Sequence, residues 1–101
     1  MENIFEQIII EYKSVFEREQ ILVEKVADSN STSSNPGSSY DFITETSMGR
    51  ITCWESGEID LEIIANNDIS NYFYSHMKIS DPSELEKIIK DMMQRLLRNH
   101  I

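Results

Sequence analysis

Cys53, His76 and His100 are the side chains here best suited to nucleophilic or metal chemistry. A nucleophilic site needs a Ser or Cys, a His and an orienting acid brought together in space. His76 falls in the middle of an alternating stretch, and His100 is next to the last residue. Cys53 alternates with Ile51, which places it on an apolar face as a buried, inert thiol. No G-x-S-x-G, phosphate-cradling glycine loop or H-E-x-x-H is present. One cysteine and two histidines without ligand spacing exclude a Cys-based zinc site and an internal disulfide. The carboxylates Glu55, Glu58, Asp60 and Glu62 are candidates for acid/base work or calcium binding. Yet Glu58, Asp60 and Glu62 alternate along one extended strand, whereas calcium needs a folded loop that converges oxygens on one ion. A charge row on a strand is usually a solvated face. The reading is a non-enzymatic protein with no cofactor and no metal.

Residues 49–63 position those acids. They read as two strands around Ser56-Gly57, and the register decides what they present. A two-residue loop would pair Trp54 with Ile59 and mix apolar and acidic side chains on both faces. A three-residue loop, Glu55-Ser56-Gly57 with Gly57 left-handed in a G1 bulge, pairs Trp54 with Glu58 and Ile51 with Leu61. Ile51, Cys53, Ile59, Leu61 and Ile63 then share one face. Arg50, Thr52, Trp54, Glu58, Asp60 and Glu62 share the other. A one-residue slip flips every side chain, so this clean segregation selects the three-residue loop.

The flanking chain supplies the other elements. Residues 2–19 predict an amphipathic helix, with Ile4, Phe5, Ile8, Tyr12, Val15 and Phe16 at helical spacing and Ile9 widening the stripe. Residues 21–26 read as a short strand on their β-branched content, with a helix extended to Val26 as the alternative. Residues 28–39 hold no large apolar residue and predict a flexible Ser-rich loop. Residues 40–46 alternate as a strand. A tight turn at Ser47-Met48 would pair Thr44 with Ile51, Phe42 with Cys53, and Glu45 with Arg50, giving an outer row Glu45–Arg50–Glu62. All three glycines read as turn residues. Residues 59–65 and 71–79 complete the strands, with Phe73, Met77 and Ile79 inward and Tyr72, Tyr74, His76 and Lys78 outward. Asp81-Pro82-Ser83-Glu84 opens a last helix: Asp81 caps, Pro82 takes the first position, and Glu84 completes a capping box. Leu85, Ile88, Ile89, Met92, Leu96 and Leu97 form its stripe, and Arg95, Arg98 and His100 suit the dipole at its end. The expected fold is a single α+β domain over residues 1–101. It is a two-layer sandwich with an antiparallel meander sheet of four to five strands and both terminal helices on one face.

The formal charge is −9, from eighteen acids against nine bases. That opposes direct phosphate contacts to nucleic acid and favours a basic partner. Apolar runs do not exceed three residues, as in Ile8-Ile9-Ile10, far short of the about 20 a membrane span requires. The N-terminus lacks a basic segment followed by a long apolar one, so a cytoplasmic location is expected. On the outer sheet face Trp54, Tyr72 and Tyr74 lie among Glu58, Asp60, Glu62 and Asp41. Aromatic side chains bury large area at small rotamer cost, and acids steer a basic partner. The other reading of Trp54 places it under the Ser-rich stretch or the strand near Val23.

The run G-R-I-T-C-W-E-S-G-E-I-D-L-E-I at residues 49–63 resembles the hallmark segment of the TriTu family of bacterial immunity proteins. The small acidic build and the leading and closing helices are also similar, with a departure expected in the Ser-rich stretch. The resemblance implies a cytoplasmic antitoxin that binds and neutralises a polymorphic toxin. The alternative is a small acidic chaperone for a secreted effector. Chaperones of that kind are commonly dimers, so sedimentation would separate the two.

Overall fold

A computed structural model describes residues 1–26, 36–65 and 72–97. Strands β1 (Leu22–Val26), β2 (Gly37–Ile43), β3 (Met48–Trp54), β4 (Glu58–Ile64) and β5 (Tyr72–Lys78) form one sheet in the order of the chain. Every neighbouring pair is antiparallel, so the sheet is a five-stranded meander. Helices α1 (Glu2–Glu11), α2 (Lys13–Arg18) and α3 (Ser83–Leu97) pack on it. The α+β architecture expected from the periodicities is the one observed.

The β3–β4 hairpin has the three-residue loop. Ile51 faces Leu61, Cys53 faces Ile59, and Arg50 faces Glu62. Gly57 has φ +93°, and a Cβ there would lie 2.5 Å from the Ile79 carbonyl oxygen. Both the left-handed backbone and the close approach demand glycine. The Gly57 carbonyl in turn accepts from Ile79 N–H at 3.0 Å, tying the turn to the exit of β5.

The β2–β3 hairpin differs from expectation. Arg50 faces Asp41, not Glu45, and Ile51 faces Tyr40, not Thr44. The turn is not at Ser47-Met48. Thr44 N–H donates to the Ser47 carbonyl at 2.9 Å, and the Thr44 hydroxyl accepts from Ser47 N–H at 2.9 Å. A two-residue turn wants Gly or Asn at positive φ, which this segment lacks; a threonine side chain closes a wider loop instead. The pairing moves by an even number of residues, so Phe42 stays inside. Strand β2 also starts at Gly37, so Gly37, Ser38 and Ser39 are sheet residues and not loop. Of the predicted flexible loop, residues 28–35 lie outside the described residues. Gly37 and Gly49 both sit within strands, contrary to their expected turn roles.

The N-terminal helix is interrupted at Tyr12 (φ −89°, ψ 3°) instead of running unbroken to residue 19. On either side of the bend, Phe5 meets the Tyr40 ring edge-on at 5.6 Å and Phe16 tilts onto Phe42 at 5.5 Å. Ile4, expected in the stripe, is exposed. Helix α2 ends in a Schellman motif: Ile21 N–H donates to Phe16 O at 2.8 Å, and Gln20 N–H donates to Glu17 O at 3.1 Å. Gln20 occupies the left-handed position at φ 60°. This stop turns residues 22–26 into a strand, resolving the ambiguity of that stretch.

The Asp81 carboxylate caps the start of α3 as expected, accepting from Ser83 N–H at 3.0 Å, while the helix itself begins at Ser83, one residue after Pro82. That bond holds the Asp81 carboxyl below its ordinary range. Leu85, Ile88, Ile89, Met92, Met93 and Leu96 are buried against the sheet, and Leu97 is half-buried. The core joins this stripe to Phe5, Ile8, Ile9 and Phe16 and to inward Phe42, Ile51, Cys53, Ile59, Leu61 and Ile63. Cys53 is fully buried. Phe73 is capped by the Arg95 guanidinium, 3.9 Å above its ring.

Candidate functional site: the outer sheet face

Alternation along five strands places the remaining side chains on the opposite face, arranged in cross-strand rows. One row reads Glu24, Asp41, Arg50, Glu62, Tyr74, and the next Val26, Ser39, Thr52, Asp60, His76. Trp54 stands opposite Gly37, and Glu58 opposite Lys78. Trp54, Glu58, Asp60, Glu62, Tyr72 and Tyr74 therefore share one face, on three adjacent strands.

Asp60 is the hub of the second row. It accepts from the Tyr74 hydroxyl at 3.0 Å and pairs with His76 Nδ1 at 2.5 Å. His76 Nε2 lies 3.7 Å from Glu58. The hydrogen bond to Asp60, with the charges of Asp60 and Glu58, raises the His76 pKa above its ordinary 6.5. The Tyr74 hydroxyl's own bond to Asp60, with desolvation and the surrounding acids, raises the Tyr74 phenol. Glu62 accepts from the Tyr72 hydroxyl at 3.3 Å, and desolvation with the Glu62 charge raises that phenol too. Arg50 forms a fork with Asp41, at 2.6 Å through Nε and 3.1 Å through the second nitrogen. Two aromatic hydroxyls and an imidazole thus orient the β4 carboxylates Asp60 and Glu62.

Trp54 is half-buried. Its ring lies on Gly37, where a Cβ would come within 2.7 Å of the indole Cδ1. Gly37, at the end of the Ser-rich stretch, therefore supports one edge of the ring, which leans over it.

A His–Asp pair is the orienting half of a nucleophilic site, but Nε2 of His76 faces Glu58, not a hydroxyl or thiol. Among the described residues, no group of three or more His, Cys, Asp or Glu side chains is placed to hold a metal ion. His100 and Arg98 lie outside the described residues. What this face can do is attract cations and donate or accept hydrogen bonds. Sequence reasoning placed His76 outward but missed its link to Asp60, which depends on the β4–β5 register. It also left out Asp41 as the partner of Arg50.

Among the described residues, no helix is long and apolar enough to cross a membrane. Comparisons with curated proteins and with solved structures give no match. The profile of the family described as immunity protein TriTu matches residues 3–95, which takes in all three helices, every strand and the outer face. The chain belongs to the TriTu family of immunity proteins.

Proposed function

We propose that this protein neutralises a cognate bacterial toxin in the cytoplasm by docking the outer sheet face on a basic surface of that toxin. The carrying observation is the β4–β5 array: Asp60 and Glu62 are oriented by Tyr74, His76 and Tyr72, and remain at the surface. Oriented carboxylates lose little freedom on binding, and the −9 charge steers a basic partner toward them. Trp54, held against Gly37, adds a rigid aromatic contact beside Glu58. Inhibition follows from occlusion, without chemistry by the immunity protein.

The test pairs the chain with the toxin domain that co-purifies with it from its native host. Co-expression rescues growth, and binding is measured by calorimetry across salt concentrations. Trp54→Ala combined with Asp60→Lys and Glu62→Lys lowers affinity by about 100-fold or more, while circular dichroism shows an unchanged fold. Unchanged affinity in a folded triple variant overturns the assignment of this face.

A further inference from the structure

Beside the acidic rows runs an apolar one. Leu22, Ile43, Met48, Ile64 and Tyr72 form a single cross-strand row on the outer face, one residue from each strand. Leu22, Met48 and Tyr72 are 55%, 43% and 46% exposed. Singly scattered apolar side chains are ordinary on a protein surface, but a contiguous strip marks a contact. With strands about 4.8 Å apart, this strip is about 19 Å long. A cavity of about 220 Å³ opens between it and the neighbouring row, lined by Met48, Ile64, Tyr72, Asp41, Arg50 and Glu62.

The charges beside the strip identify what fits it. The neighbouring row sets Glu24, Asp41 and Glu62 against one guanidinium, Arg50. Arg50 bonds Asp41 through two of its three nitrogens and feels Glu62 opposite it only through charge, while Glu62 takes the weaker 3.3 Å bond from Tyr72. A second copy of this chain would bring another net charge of −9 against the first. A basic partner meets no such repulsion.

We infer that the row Leu22–Ile43–Met48–Ile64–Tyr72 is the desolvated centre of the docking surface, and that it receives an apolar strip of the toxin bordered by lysine or arginine. One such side chain enters the cavity, laying its aliphatic stem on Met48 and Ile64 and its charge beside Glu62. This rests on the reading that the outer face docks the toxin, and it makes the acidic and Trp54 rows the rim.

The experiment uses the toxin domain that co-purifies with the chain from its native host, with binding measured at low and high salt. Met48→Thr with Ile64→Thr keeps strand propensity and every charge. It lowers affinity about 100-fold at both salt concentrations, while Glu62→Gln lowers it about tenfold and flattens the salt dependence. Leu22→Thr, at the sheet edge, serves as a second apolar variant should the pair fail to fold. If the apolar variants bind within twofold of the parent while Asp60→Lys with Glu62→Lys weakens binding, the inference falls and the docking face stands. If neither set changes affinity, both fall. A dimer of the parent that the apolar pair disperses in sedimentation overturns the inference in favour of a second copy.

Discussion

The two faces of the sheet are made from the same strands and obey opposite constraints. Inward, Phe42, Ile51, Cys53, Ile59, Leu61 and Ile63 meet three helices and are buried. Outward, among the described residues, the alternate positions meet one another, through Arg50–Asp41, Tyr74–Asp60, Tyr72–Glu62 and Ser39–Thr52. Packing dictates the first set to within a methylene. Nothing in the fold requires carboxylates, tyrosines and an exposed methionine in the second. The contrast separates what holds this protein together from the face proposed to meet its partner.

The sharpest test of that division is a pair of truncations on one strand. Ile51→Ala empties a fully buried site and costs about 3 kcal/mol in urea unfolding. Met48→Ala, outward on the same strand, costs about 0.5 kcal/mol or less. Equal costs would mean that the outer row is structural. Next in size is Gly57→Ala. It forces a side chain into the left-handed region and against the Ile79 carbonyl, at about 2 kcal/mol, read as a drop in Tm. The smallest effect belongs to the outer face. By NMR titration His76 ionises above 6.5, and Asp60→Asn returns it toward that value. Because the folded pKa is the higher one, the stabilisation is complete below pH 6.5 and is lost as pH rises through the shifted pKa. With His76 exposed, this slope is shallow, and His76→Gln removes it.

Legibility followed the same division. Inward positions carry a two-residue period in the strands and a helical one in α3, so the core, the β3–β4 register and the α3 stripe could be read directly. Ser56-Gly57 spelled its turn, since a glycine at positive φ leaves few alternatives. Thr44–Ser47 did not, because an ordinary threonine hydroxyl does the closing. Gln20 hid the end of α2, as glutamine is not a residue associated with left-handed backbone. Gly37, Ser38 and Ser39 looked like loop because small polar residues carry no period, although Ser38 is buried in the sheet. The shared face of Trp54, Glu58, Asp60, Glu62, Tyr72 and Tyr74 was accessible from alternation alone. The apolar row was not. It exists only once all four strand pairings are known, and its members are scattered along the chain from Leu22 to Tyr72.

The indole resting on Gly37 has an optical consequence. Trp54 is the single tryptophan of the chain, so ultraviolet emission excited at the red edge of the absorption band comes from one place. That place is the outer sheet face proposed for docking, at the end of β3. Unfolding strips the ring from Gly37 and shifts emission to the red, whereas a toxin closing over the accessible edge shifts it to the blue. Two events that activity measurements report alike, loss of fold and gain of partner, thus move one native chromophore in opposite directions.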